Sequence, residues 1–154
     1  MSAMSEVIAA PALPGAPEFF PGGSSVACDT VLLVEDDAPV AALLRHILAR
    51  INRRVLHARD GAECLRLFER NSASVGLVFM DCTLPDAHGG SLCQKLRAAV
   101  PGLPVLLTSG RDQPGLLKLL AADGPTAFLS KPYWPGEVLG RVNSLFPVGR
   151  GGGR

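Results

Sequence analysis

Short continuous apolar runs alternate with stretches whose apolar residues recur every three or four positions, and the alternation extends from Val31 to Leu145. Val31-Leu-Leu-Val34 has the length and uniformity of a strand buried on both faces. Asp37 is placed to cap a helix whose first turn holds Pro39. Val40, Leu43, Leu44, Ile47, Leu48 and Ile51 then recur at helical spacing. Val55-Leu56 marks a second, weaker strand. Ala62, Leu65 and Phe68, with Cys64, predict the apolar face of a second helix. Val75-Gly-Leu-Val-Phe-Met80 is a third strand that ends at Asp81. Leu92, Leu96 and Ala99 predict a helix near 89–99, and Pro104-Val-Leu-Leu107 opens a fourth strand. Leu116, Leu117, Leu119 and Leu120 predict a short helix and Thr126-Ala-Phe-Leu129 a fifth strand. Val138, Leu139, Val142 and Leu145 predict the last helix.

Five strands alternating with five helices predict an α/β fold, a parallel sheet covered on both faces. Right-handed crossovers narrow the topology. In such sheets ligands bind at the carboxyl ends of the strands, beside a switch in strand order. The flanks read differently. Residues 1–29 hold Pro11, Pro14, Pro17 and Pro21 among Gly15, Gly22 and Gly23, which predicts a flexible leader. Residues 148–154 read as a flexible Gly-rich tail, leaving 30–147 as the folded domain.

Composition adds exclusions. At 47% hydrophobic with a formal net charge of +1, the chain is neither disordered nor drawn generally to nucleic acid or anionic membranes. Cys28, Cys64, Cys82 and Cys93 form no CxxC pair, so neither a zinc site nor a redox pair is expected. The first basic residue is Arg45, so a secretory signal lacks its positive region. No apolar run approaches the roughly 20 residues of a membrane span. The expectation is a cytoplasmic protein with reduced thiols and no membrane insertion.

Polar residues cluster where strands end: Glu35, Asp36 and Asp37 after the first, Asp81 after the third, Thr108-Ser109 at the fourth and Lys131 after the fifth. A parallel sheet brings all of them to one edge. Carboxylates gathered there repel, which raises the pKa of at least one, and a divalent cation relieves the repulsion. An all-oxygen donor set suits Mg²⁺. Asp81 can then attack phosphorus as a carboxylate nucleophile. Lys131 supplies positive charge to the transferring oxygens, and a hydroxyl of Thr108 or Ser109 a donor. Strand alternation lets only one of those two point inward.

Four segments together resemble the receiver domain of two-component response regulators, over about residues 30–146. They are Val31-Leu-Leu-Val-Glu-Asp-Asp37, Met80-Asp-Cys-Thr-Leu-Pro-Asp-Ala-His-Gly89, Pro104-Val-Leu-Leu-Thr-Ser-Gly110 and Phe128-Leu-Ser-Lys-Pro132. The resemblance implies a flavodoxin-like, doubly wound (βα)5 fold with strand order 2-1-3-4-5. It implies Asp81 as phosphoacceptor and metal ligand, Asp36 as direct Mg²⁺ ligand, Glu35 as a ligand through water and the Thr83 backbone carbonyl as a further ligand. Lys131 would hold a phosphoryl oxygen, and Ser109, five after Pro104 and followed by Gly110, would sense it. Phe128 would be the rotating aromatic; lacking a hydroxyl, it works through packing alone. Implied partners are a histidine kinase or histidine phosphotransfer protein and a downstream protein, and the family also allows pairing with a second copy of the chain.

Departures from the family pattern carry their own expectations. Thr83 and Arg111, two positions after Asp81 and Ser109, offer no carboxylate or amide to orient attacking water, which predicts slow self-dephosphorylation. Gly110-Arg-Asp-Gln-Pro-Gly115 predicts a late or short helix after the fourth strand. His46, His57 and His88 are expected on the surface. No segment after residue 146 is long enough for a DNA-binding or enzymatic output domain. The chain is therefore expected to act by changed protein binding, and as no enzyme beyond its own phosphotransfer and dephosphorylation. The alternatives are a receiver segment of a hybrid histidine kinase and a phosphorylation-independent scaffold. A phosphatase of the haloacid-dehalogenase type would want aspartate at Thr83. A nucleotide-binding domain would want a phosphate-cradling loop where Glu35-Asp-Asp37 stands.

Overall fold

The computed structural model describes residues 28–110 and 114–146. The predicted leader and tail fall almost wholly outside them, as does Arg111. The elements run β1 (Thr30–Val34), α1 (Ala38–Ala49), β2 (Arg54–Ala58), α2 (Gly61–Asn71), β3 (Val75–Asp81), α3 (Gly89–Ala99), β4 (Val105–Ser109), α4 (Pro114–Ala121), β5 (Thr126–Ser130) and α5 (Pro135–Leu145). All strand pairs are parallel and the sheet order is β2-β1-β3-β4-β5, the flavodoxin-like arrangement. The chain leaves β1 toward β2 and returns past it to β3, so the switch in order lies between β1 and β3.

Strand alternation divides the core in two. Leu32, Val34, Val78, Met80, Val105 and Leu107 face one cluster with Cys64 and Phe68 of α2, Leu92, Cys93 and Leu96 of α3 and Leu120 of α4. Val31, Leu33, Leu77, Phe79 and Leu106 face the other, with Ala41, Leu44, Ile47 and Leu48 of α1 and Val138 and Val142 of α5. Every residue of β1, β3 and β4 is buried, which is why those strands read as unbroken apolar runs. Each fully buried Leu or Val adds about 1.5–3 kcal/mol of apolar transfer free energy. The edge strand β2 is only partly buried, which accounts for its weaker signal.

Three helix faces differ from expectation. In α2 the buried positions are Gly61, Cys64 and Phe68, while Ala62 and Leu65 face solvent. In α1, Leu43 is 53% exposed and Ala41 is buried in its stead. In α3, Ala99 is exposed and the inward face includes Cys93 and Arg97. Arg97 lies in the interior without an ion-paired carboxylate, its fork held by three backbone carbonyls and one hydroxyl. Nε donates to Leu103 O (2.9 Å), Nη1 to Leu120 O (2.6 Å) and Nη2 to Pro125 O (2.8 Å) and Thr126 Oγ1 (2.9 Å). One side chain thus ties α3 to the last turn of α4, whose carbonyl dipoles favour a cation, and to the start of β5.

The predicted Asp37 cap of α1 forms, and α2 has caps that were not predicted. Asp37 accepts from Val40 N at 3.1 Å. Asp60 accepts from Glu63 N at 2.8 Å while Glu63 accepts from Arg59 N at 2.8 Å. Asp86, far along the chain, adds two bonds to the same helix, from Gly61 N (2.7 Å) and Ala62 N (3.1 Å). The short α4 begins at Pro114, after Gly110 and with Gly115 in its first turn, in keeping with a late start.

Candidate phosphoacceptor site

Parallel pairing carries the ends of β1, β3, β4 and β5 to one edge. The ladder continues just past the strands: Cys82 N donates to Thr108 O and Lys131 N to Ser109 O, both at 2.8 Å. Side chains at these ends therefore sit on a rigid frame. Carboxylate oxygens of Glu35, Asp36 and Asp81 lie within 4.8 Å of one another, the only such group of metal-ligating side chains among the described residues. Glu35 and Asp81 are buried and Asp36 is exposed, so the cluster opens to solvent on one side.

Lys131 is the cation of this cluster. Its Nζ donates to Asp81 Oδ2 at 2.7 Å and lies 3.6 Å from Glu35 Oε1. Burial disfavours the ammonium, but the hydrogen bond to Asp81 and the charges of Glu35 and Asp81 outweigh it, and its pKa is raised. Glu35 also titrates above the usual carboxylate range. Burial is the main cause, and the charges of Asp81 and Asp36 add to it against the Asp37 amide and Lys131. Its Oε2 accepts from Asp37 N at 3.2 Å. One lysine against three carboxylates leaves the group short of positive charge. An all-oxygen, partly open donor set short of positive charge fits Mg²⁺; Glu35, Asp36 and Asp81 would hold it.

The loop after Asp81 is tightly folded. Thr83 N donates to Asp81 Oδ1 at 2.9 Å, fixing the acceptor carboxylate from the opposite side to Lys131. Gly89 N donates to Cys82 O at 2.8 Å, and a Cβ on Gly89 would come within 2.8 Å of Cys82 Cα, so the loop closes only with glycine there. Asp86, in the same loop, is anchored on the start of α2. Its carboxyl is held below the usual range by the hydrogen bond from Gly61. Cys82 is fully buried and its thiol pushed up to about 11 by burial, a packing group beside Asp81.

Of the residues singled out from sequence, Glu35, Asp36, Asp81 and Lys131 come together. Thr83 is adjacent, with an exposed side chain that reaches toward no partner in the site. Thr108 and Ser109 are both buried. Alternation groups Ser109 with Val105 and Leu107 and leaves Thr108 with Leu106. Thr108 Oγ1 has no hydrogen-bond partner. Phe128 is half-buried against the cluster that includes Leu116 and Leu120 of α4. Two histidines expected merely on the surface have structural bonds. The half-buried His57 donates from Nε2 to Glu35 O at 2.8 Å, and exposed His88 caps α3 by accepting from Gly90 N at 3.0 Å. Tyr133 was not foreseen at all. Its ring packs on the α1/α5 core, and its hydroxyl is buried without a partner within reach of the charges of Lys131, Glu35 and Asp81.

Residues 31–143 match the family model described as the response regulator receiver domain. The chain is 33% identical over 115 residues to the uncharacterized transcriptional regulatory protein YbdJ of Bacillus subtilis, covering 75% of this chain and 49% of that protein. It is 30% identical over 116 residues to the alkaline phosphatase synthesis transcriptional regulatory protein PhoP of the same organism, covering 75% and 47%. The chain thus spans about half the length of the curated relatives it matches. Among solved structures, the receiver domain of the hybrid histidine kinase CckA superposes with a TM-score of 0.65 at 28% identity, covering 75% of this chain and 97% of that one. Among the described residues, no helix is long and apolar enough to cross a membrane.

Proposed function

The chain belongs to the response regulator receiver family of two-component signal transduction, and on that footing we propose that it accepts a phosphoryl group on Asp81 and signals through altered binding to a protein partner. The observation that carries the proposal is the seating of Asp81. Its two oxygens are fixed by Lys131 and the Thr83 amide at the open carboxyl edge of the sheet, within reach of Glu35 and Asp36.

In this reading an Asp81 oxygen attacks the phosphorus of a phosphohistidine on a histidine kinase or phosphotransfer protein. The P–N bond breaks, a P–O bond forms, and the imidazole leaves with a proton. Lys131 then holds a phosphoryl oxygen. Mg²⁺, when bound by Glu35, Asp36, Asp81 and the Thr83 carbonyl, would offset charge on the transferring group. Ser109 is the hydroxyl that senses the new group, and Phe128 answers by repacking against α4. The protein catalyses its own phosphotransfer and dephosphorylation and no other reaction. Thr83 and Arg111 provide no carboxylate or amide to orient water, so the acyl phosphate lasts minutes to hours. Borohydride reduction of the phosphorylated protein tests the assignment, since it converts an acyl phosphate to an alcohol at the acceptor. Peptide mapping should find that change at residue 81; a label elsewhere would refute the proposal, and a half-life of seconds would refute the roles of Thr83 and Arg111.

A further inference from the structure

Between Asp37 and Asp60 the chain holds no acidic residue, yet it carries Arg45, Arg50, Arg53, Arg54 and Arg59 with His46 and His57. With a formal net charge of +1 overall, the rest of the chain is net acidic, so positive charge is segregated. The fold puts the segment at one place, on α1 and the edge strand β2 beside it. A groove between them has Ala42, Ala49 and Val55 as a small apolar floor and Arg45, His46 and Arg53 as its rim. Arg59 pairs with Glu63; among the described residues Arg45, Arg50, Arg53 and Arg54 pair with no carboxylate.

A run of charge is by default a solvated face, but Arg53 departs from that. It is half-buried with its guanidinium stacked over the Phe146 ring, 3.9 Å from the centroid. Its Nε is buried and has no hydrogen-bond partner. The fork is therefore held in place before anything binds, and a donor is withheld from water without an acceptor. A planar guanidinium fixed in this way suits a carboxylate.

We propose that the α1/β2 groove docks an acidic segment of a partner protein, its carboxylates on Arg45 and Arg53 and its backbone over Ala42, Ala49 and Val55. A nucleic acid fits less well. The groove has no Phe, Tyr or Trp to stack a base, and the acidic remainder of the chain repels a long polyanion. The inference stands apart from phosphoryl chemistry at Asp81 and does not depend on it.

The test uses fluorescence anisotropy of a short labelled Glu/Ser peptide with the full chain. A neutral Gln/Ser peptide and a single-stranded oligonucleotide serve as comparisons. The Glu/Ser peptide should bind more tightly than either and weaken as salt is raised. It should shift the amide resonances of Ala42, Ala49 and Val55. Arg53 also packs on Phe146, so charge is reversed at exposed Arg45, on the rim, as Arg45→Glu, with exposed Lys95→Glu on α3 as a control of equal charge change. Arg45→Glu should weaken binding roughly tenfold, and the control should not. Equal binding of the neutral peptide, equal weakening by Lys95→Glu, or tighter binding of the oligonucleotide would each overturn the proposal.

Discussion

Lys131 Nζ bridges carboxylates from two strands, 2.7 Å from Asp81 Oδ2 at the end of β3 and 3.6 Å from Glu35 Oε1 beyond β1. It is the cation that lets three acids share one edge. Removing it leaves Asp81, 7% exposed, with an oxygen that has lost its donor. Because the Lys131 side chain is 31% exposed, water replaces part of what is lost. Lys131→Ala is expected to cost about 1–2 kcal/mol in urea denaturation and to abolish phosphoryl uptake. Unchanged uptake would remove Lys131 from the mechanism.

Thr108 and Ser109 make opposite predictions. Thr108 Oγ1 is buried and unbonded, so Thr108→Val keeps the shape and removes a polar atom without a partner. It should raise stability by about 1 kcal/mol and leave intact the fluorescence change that exposed Trp134, three residues past Lys131, is expected to show on phosphorylation. Ser109→Ala should accept the phosphoryl group and lose that response. The reverse pattern would assign the sensing hydroxyl to Thr108.

The strands and the chemistry at their ends were legible in the sequence because both depend on local runs. A strand buried on two faces must be apolar throughout, and a residue just past it must lie at the sheet edge, as Asp81 and Lys131 do. Helix faces were less legible. In α2, Ala62-Leu65 and Gly61-Cys64 are shifted by one position, and composition favours the leucine, but the pair that meets the sheet is the smaller one. Nothing in the sequence marked Arg97 for the interior, because its acceptors, Leu103 O to Thr126 Oγ1, come from later turns of chain. Asp86 capping Gly61 from 25 residues away and His57 bonding the Glu35 carbonyl are likewise contacts that only the fold creates.

Asp86 predicts an acid dependence. Its carboxyl is held below the usual range by the Gly61 amide. Its contribution is therefore present above the ordinary aspartate pKa of roughly 4 and is lost as pH falls through the lower folded-state value. Asp86→Ala should lower the urea midpoint at about pH 7, and the gap from the parent should close as the solution is made more acidic than the ordinary aspartate value. A gap independent of pH would mean the carboxylate does not cap α2.

Arg97→Met keeps the unbranched stem of the side chain and removes four donated hydrogen bonds in the interior. Stranding those acceptors should cost about 3–5 kcal/mol by chemical denaturation, at the upper end for single substitutions. A loss below about 1 kcal/mol would mean that water satisfies the carbonyls once the guanidinium is gone.

Intact mass after incubation with Mg²⁺ and acetyl phosphate, beside Asp81→Asn treated in the same way, tests Asp81 as the acceptor most directly. The parent protein should gain one phosphoryl group, and the variant, which keeps the shape and loses the nucleophile, should gain none. A parent that stays unmodified, or a variant that is modified equally, would contradict the assignment and leave a receiver fold that acts without phosphorylation at Asp81.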